Sequence, residues 1–193
     1  MFKEQFDNLR KKGALVHNIT NYVTVNDVAN MILACGASPI MSDDIEDVAD
    51  ITSICGGLNI NIGTLNQRTI SSMFAAGKKS NELGHKVLLD PVGAGASSLR
   101  TSTAKKLLED IKFDVIRGNI SEIKTLATGS ETTQGVDANV EDYITEENLA
   151  SAVNFVKTFS KATGSIVAIT GAIDLVSDMN RCFVIRNGRM EMS

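Results

Sequence analysis

Asp90-Pro91-Val92-Gly93-Ala94-Gly95 puts a carboxylate directly after the apolar run Val87-Leu88-Leu89, with two glycines close behind it. A carboxylate at a strand end can hold a metal ion, and glycines let backbone N–H groups approach a phosphate or a hydroxyl. The same residues also suit a plain turn, with Asp-Pro initiating it and glycine supplying positive φ. Asn119-Ile120-Ser121-Glu122 poses a similar choice. Asn at a helix N-cap with Glu three residues on is a capping box. An acid at a helix start after a strand can equally organise Mg²⁺ and its water near a phosphate. Arg117, two residues upstream, suits a phosphate or a purine face, or a surface ion pair. Thr170-Gly171 after Ile166-Val167-Ala168-Ile169 could line a nucleotide through hydroxyl and backbone, or simply turn the chain.

Other candidates are uncharged. Asn18 and Asn21 in His17-Asn18-Ile19-Thr20-Asn21-Tyr22 could bond a small polar ligand or form a local turn. Met41 after Ser38-Pro39-Ile40 could wall an apolar ring pocket or belong to the core. His17 reads as a satisfied strand-end histidine rather than a base, and His85 as an exposed loop residue. Cys35, Cys55 and Cys182 have no neighbouring His or basic cluster to activate them and read as structural.

The elements that must position these residues follow from periodicity. Ala14–His17, Ser38–Met41, Leu58–Ile62, Val87–Leu89, Asp114–Arg117 and Ile166–Ile169 read as buried strands, with Asn18–Asn21 a polar turn. Helical patterns follow. Val25, Val28 and Ile32 recur after a Thr24 cap and before Gly36, and Ile45–Ile54 forms a short helix. Asn66 caps a helix bearing Ile70, Met73 and Phe74. Leu99–Ile111 turns Ala104, Leu107, Leu108 and Ile111 inward, and Asn119–Leu126 follows Arg117. Thr145 caps a helix bearing Leu149, Val153 and Val156. Thr128–Glu141 reads as a polar loop. Leu175–Ser177 and Cys182–Ile185 read as antiparallel, with Asn187-Gly188 a hairpin turn. This alternation predicts an α/β fold, its mostly parallel central sheet covered by helices on both faces. Ligands then bind at the carboxyl ends of strands, where Asn21, Met41, Gly63-Thr64, Asp90, Arg117-Gly118-Asn119 and Thr170-Gly171 all fall.

The 193 residues carry 19 Lys+Arg against 23 Asp+Glu, a net charge of −4, which argues against a nucleic-acid partner. Three cysteines without ligand spacing argue against a disulfide scaffold or zinc site and fit a reducing, cytoplasmic setting. An acid-bearing N-terminus does not read as a signal peptide, and no apolar run predicts a membrane span. A single domain over 1–193 is expected. The Gly93-x-Gly95 pair fails a dinucleotide fingerprint, because Ser98 stands where the last glycine belongs, and no G-K-[ST] of a Walker A loop occurs.

Together and in order, six stretches resemble the hydroxyethylthiazole kinase family of the ribokinase-like superfamily. They are His17-Asn18-Ile19-Thr20-Asn21-Tyr22-Val23, Gly36–Met41, Asn61-Ile62-Gly63-Thr64-Leu65, Leu89–Ala96, Ile116–Glu122 and Ala168-Ile169-Thr170-Gly171. The resemblance covers essentially the whole chain. It implies a three-layer ribokinase-like fold and transfer of the ATP γ-phosphoryl group to 4-methyl-5-(2-hydroxyethyl)thiazole, with Mg²⁺, in thiamine biosynthesis. It implies that Met41, Asn21, Gly63 and Thr64 bind the thiazole. Arg117, Thr170 and Asn119 would bind ATP, with Asp90 and Glu122 as catalytic and metal-handling acids. It also implies a homotrimer with sites between subunits. The family pattern continues past the hairpin into a Gly-Thr-Gly-Cys anion hole, which does not occur in these 193 residues. Either a fragment of a longer kinase or a natural truncation fits, and such a chain alone is expected to be nearly inactive. A non-catalytic thiazole- or nucleotide-binding module and a hydroxymethylpyrimidine kinase are the alternatives.

Overall fold

The computed structural model describes residues 3–128 and 142–187, in two compact units that divide between Val87 and Leu88. The first holds α1 (Lys3–Lys12), β1 (Leu15–Ile19), α2 (Val25–Cys35), β2 (Ser38–Met41), α3 (Val48–Ile54), β3 (Gly57–Asn61) and α4 (Gln67–Leu83). Strand β4 (Lys86–Asp90) crosses the boundary. The second unit continues with α5 (Ser98–Asp110), β5 (Val115–Asn119), α6 (Ile120–Ala127), α7 (Leu149–Thr163), β6 (Ile166–Thr170), β7 (Asp174–Ser177) and β8 (Cys182–Ile185).

In the first unit the strands run in the order β2-β1-β3, all parallel. The pairs His17↔Ile40 and Asn18↔Met41 on one side, and Asn18↔Asn59 on the other, align three strand ends. Pro39 is tolerated because β2 lies on the edge, where a missing donor costs no ladder bond. Gly36 at φ 93° ends α2 in the left-handed region and returns its amide to Ile32 and Leu33. Contrary to the turn expected at Asn18–Asn21, β1 runs on through Asn18 and Ile19. The Asn18 amide bonds the Val16 carbonyl at 2.8 Å and accepts from Asn59 Nδ2 at 3.1 Å, so its polarity is met inside the sheet. Helix α2 forms as expected, yet Val25, Val28 and Ile32 are only half-buried, and Met31 and Leu33 are exposed. On α4 the buried face is Thr69, Ser72, Met73, Ala76, Gly77 and Ser80, with Ile70 and Phe74 at its margin.

In the second unit the order is β4-β5-β6-β7-β8, parallel through β6 and then antiparallel, as the apolar tail pattern predicted. Leu107, Phe113, Ile116, Ile123, Phe159 and Val167 form its core, each almost wholly buried. Ala104, Leu107, Leu108 and Ile111 face inward as expected. The N-cap of α7 is Asn148 rather than Thr145; the two residues exchange hydrogen bonds across a preceding turn. His85 is half-buried rather than exposed. The loop expected at Thr128–Glu141 lies outside the described residues beyond Thr128, and Gly188 of the hairpin turn lies outside them too. Among the described residues no helix is long and apolar enough to cross a membrane.

Candidate functional site

The candidate residues fall into one group in each unit, and the two differ in chemistry. In the first unit the group is a knot of neutral amides. Asn21 Oδ1 accepts from the amides of Val23 (3.1 Å) and Thr24 (3.0 Å) and from the Thr24 hydroxyl (3.2 Å). Its Nδ2 donates to Asn61 Oδ1 at 3.2 Å, an atom that also accepts from Gly63 N–H at 2.9 Å. Gly63 permits this crowding: a Cβ there would sit 2.8 Å from Asn21 Cβ and 2.9 Å from Asn61 Oδ1. Thr64 Oγ1 accepts from the Tyr22 amide at 3.1 Å. The structure therefore brings Asn21, Gly63 and Thr64 together.

Met41 closes β2 beside them. It lines a cleft of about 160 Å³ with Asn18, Thr20, Tyr22, Ser42 and Asp43. Tyr22 links cleft and knot, because its hydroxyl donates to Asp43 Oδ2 at 3.1 Å while its amide holds Thr64. Arg68 also reaches Asp43, at 3.3 Å. Tyr22 and Asp43 were not singled out from sequence; their signal was adjacency, Tyr22 following Asn21 and Asp43 two places after Met41. Beneath the cleft His17 is fully buried and bonded at both ring nitrogens, to Thr52 at 3.0 Å and to the Ser42 carbonyl at 2.9 Å. Burial holds its pKa below the ordinary imidazole value, against a smaller upward pull from the Ser42 carbonyl and the Asp47 charge.

In the second unit the group is charged. Register brings Leu89 opposite Ile116, so Asp90 and Arg117 are the next residues along β4 and β5. Arg117 Nη1 donates to Asp90 Oδ2 at 3.1 Å, with the arginine half exposed and the aspartate nearly covered. Asn119 and Glu122 form the predicted capping box: Glu122 N–H to Asn119 Oδ1 at 2.9 Å, and Asn119 N–H to Glu122 Oε2 at 2.8 Å. Glu122 does more than cap, because its other oxygen accepts from Gly93 N–H at 2.8 Å. A single carboxylate thus ties the glycine loop to the start of α6. Thr170 stands opposite Asn119 across β5 and β6.

Gly93 and Gly95 take φ 73° and 95°, which L side chains rarely adopt. Of the two readings left open for this loop, the bonds made by the amides of Gly93–Ala96 agree with the plain turn. Gly93 donates to Glu122, Ala94 to the Pro91 carbonyl, Gly95 to Thr101 Oγ1 and Ala96 to the Gly93 carbonyl. The loop is a scaffold that grips Glu122. Beside it lies a cleft of about 540 Å³, lined by Gly93, Gly95, Asn119, Ser121, Glu122 and Lys124 among others. Lys124 pairs with Asp142 at 2.9 Å, and that contact holds the Asp142 carboxyl below its usual range. Ser121 and Lys124 were also not anticipated, although they flank Glu122 on its own helix.

Mg²⁺ takes oxygen ligands, keeps several waters and is held by one or two carboxylates together with substrate phosphates. Asp90 and Glu122 supply such oxygens, and among the described residues no larger cluster of His, Cys, Asp or Glu could hold a metal by itself. The donor set therefore fits a metal that arrives with phosphates. The three cysteines are free, and burial pushes the Cys55 and Cys182 thiols up, in keeping with structural roles.

Comparison with known proteins agrees with the motif pattern. The model of the "HK: Hydroxyethylthiazole kinase family" matches residues 6–193. A hydroxyethylthiazole kinase from Clostridium acetobutylicum is 61% identical over 193 residues, which is 100% of this chain and 71% of that protein. The solved structure of a hydroxyethylthiazole kinase protein from Pyrococcus horikoshii superposes with a TM-score of 0.84 at 35% identity. It covers 98% of this chain, which spans 68% of that one. At 10% identity, adenosine kinase from Sinorhizobium meliloti shares the fold alone, with a TM-score of 0.54 over 90% of this chain and 57% of its own. The α/β fold with a mostly parallel sheet expected from the alternating pattern, and the ribokinase-like fold that the resemblance implied, are borne out. The chain belongs to the hydroxyethylthiazole kinase family.

Proposed function

We propose that this chain carries the substrate and phosphate groups of a kinase that transfers the ATP γ-phosphoryl group to the hydroxyl of 4-methyl-5-(2-hydroxyethyl)thiazole, serving thiamine biosynthesis or salvage. The observation that carries the reading is that each unit holds, on its parallel strands, a neighbourhood of opposite chemistry. One is mostly uncharged and partly apolar, around Met41, with the Asp43–Arg68 pair as its charged element. The other is charged, around Asp90, Arg117 and Glu122. A flat, uncharged ring suits a methionine wall flanked by amides. A polyphosphate suits a guanidinium and acids that bring a metal.

In this reading the hydroxyl oxygen bonds to the γ-phosphorus, the bond from that phosphorus to the bridging oxygen breaks, ADP leaves with that oxygen, and the hydroxyl proton is released to water. Met41 contacts the ring, with Asn21, Gly63 and Thr64 shaping the adjoining polar edge. Arg117, Asn119 and Thr170 hold ATP. Asp90 and Glu122 are the residues that would hold Mg²⁺, which neutralises phosphate charge when bound. Positioning and charge neutralisation dominate phosphoryl transfer, so a fixed glutamate matters more than a strong base. Glu122, anchored through both oxygens, is fixed in that sense.

Both units belong to one kinase domain on this reading, since the family match runs across their junction. The assembly is a homotrimer with sites between subunits. Exposed Val23, Met31, Leu33 and Ile54 in the first unit support an apolar contact surface. The free cysteines support a cytoplasmic setting. The test is a phosphorylation assay offering hydroxyethylthiazole and hydroxymethylpyrimidine side by side, with calorimetry of each alcohol. A phosphate ester formed on the thiazole alcohol, dependent on ATP and Mg²⁺, is expected, forming only slowly when these 193 residues are assayed alone. Preference for the pyrimidine, or no binding of the thiazole, would overturn the proposal. Light scattering at a monomer mass would overturn the trimer alone.

A further inference from the structure

His17 is the most buried ionisable side chain near the first group, and the proposed reaction does not use it. Its surroundings define its state. The Ser42 carbonyl can only accept, so the nitrogen 2.9 Å from it, Nε2, carries the proton. Nδ1 is then the acceptor, and the Thr52 hydroxyl 3.0 Å away donates to it. One ring therefore spans three elements: β1, which bears it, the turn after β2, and α3, which bears Thr52.

The turn needs such a hold. Register between β1 and β2 ends at Asn18↔Met41, so the parallel ladder stops where the cleft begins. Strand β2 is an edge strand in its unit, with Ser38 and Met41 exposed and Pro39 and Ile40 half-buried, so side-chain packing grips it weakly. Just past its end, Ser42 is fixed from two sides. Its carbonyl is held by His17, and its hydroxyl donates to Asp47 Oδ2 at 2.5 Å. Met41, Ser42 and Asp43 all line the cleft.

We infer that His17 is a positioning residue for substrate binding: the Nε2–H bond to the Ser42 carbonyl sets the Met41–Asp43 wall of the cleft that receives the thiazole ring. The inference rests on the proposed ring site at Met41. His17 touches no reacting atom, and its effect falls on affinity for the ring rather than on the nucleotide, whose proposed residues lie in the other unit.

Two variants and two ligands test it. His17→Leu fills the space without a donor, while His17→Gln keeps an N–H that can reach the carbonyl. Calorimetry with hydroxyethylthiazole and with Mg·ATP is run on each, alongside hydrogen exchange over residues 38–47. Loss of one buried hydrogen bond at the wall should weaken thiazole binding about tenfold in His17→Leu. Mg·ATP affinity should stay within about twofold, which also reports a folded chain, and His17→Gln should recover most of the loss. Exchange over 38–47 should quicken in His17→Leu and stay slow in His17→Gln. Unchanged thiazole binding in His17→Leu would overturn the inference. So would equal weakness of both variants, or joint loss of thiazole and nucleotide binding. If the unaltered chain binds no thiazole, the ring-site reading fails. Exchange then decides the grip of His17 on the turn by itself, with unchanged rates counting against it.

Discussion

The two units fix their candidate residues by different means. Around Met41 the work is done mostly by neutral amides: Asn18 with Asn59, Asn21 with Asn61, and Asn61 with Gly63, beside a single ion pair of Arg68 with Asp43. Around Asp90 it is done by charge, with Arg117 on Asp90 and Glu122 accepting from two backbone amides. The difference teaches what each region is suited to hold. Amide–amide bonds set a shape without a field, which an uncharged ring needs. Charged groups set a field as well, and a polyphosphate with its metal responds to it.

That contrast can be broken at either end. The largest effect is expected at Glu122. In Glu122→Gln one oxygen is replaced by an NH₂ that faces a backbone N–H, of Gly93 or of Asn119. Turnover should fall roughly a hundredfold, the scale of losing one preorganised electrostatic group, with the thiazole KM within about twofold. Steady-state kinetics checks this, and a collapse of thiazole affinity at unchanged kcat would make the acid's assignment wrong. Next comes Asn61→Leu, which removes the acceptor shared by Asn21 and Gly63. Thiazole affinity should drop about five- to tenfold while Mg·ATP binding holds, since each net hydrogen bond is worth about 1 kcal/mol.

Smaller still is Asn119→Ala, which removes the α6 cap at a cost of about 1 kcal/mol, a fall of roughly 2–4 °C in Tm for a chain of this size. Asn119→Ser keeps a cap. If nucleotide binding is also kept, the part played by Asn119 is structural, and the charged group loses one member. The smallest effect is that of pH on the amide region. Folding lowers the His17 pKa, so the unfolded chain takes up a proton more readily. The stability contribution is complete above the unfolded value of about 6.5 and is lost as pH falls through it toward the folded pKa. Chemical unfolding of the parent and of His17→Gln between neutral and mildly acid pH should show a steeper decline in the parent.

Much of this was legible from residue order. The strands carrying Met41, Asp90, Arg117 and Thr170 were marked by apolar runs that stop at small or polar groups; Met41, Asp90 and Thr170 do end their strands, whereas β5 runs two residues past Arg117 to Asn119. The Asn119–Glu122 capping box was visible in its spacing, because N-cap bonding is local. Long-range partnerships were hidden. Nothing in the order of residues says that Glu122 accepts from Gly93, 29 positions away, or that His17 holds Ser42. The choice left open at Gly93–Ala96, ligand loop or plain turn, could not be made for the same reason: glycine composition reports conformational freedom, not where the amides go. Asn18 was misread as a turn former because its amide is satisfied by a neighbouring strand, which local propensity does not see.

The division of labour itself is tested most directly by crossed calorimetry. Met41→Asp places a carboxylate where the ring should lie, and Arg117→Ala removes the guanidinium from the charged group. Each folded variant is titrated with hydroxyethylthiazole and with Mg·ATP. The account predicts that Met41→Asp loses thiazole binding by about tenfold or more, because seating the ring would strip water from the new carboxylate, and keeps Mg·ATP. Arg117→Ala should show the reverse, weakening Mg·ATP about tenfold and sparing thiazole. Equal loss of both ligands in either variant, or a swapped pattern, would contradict it.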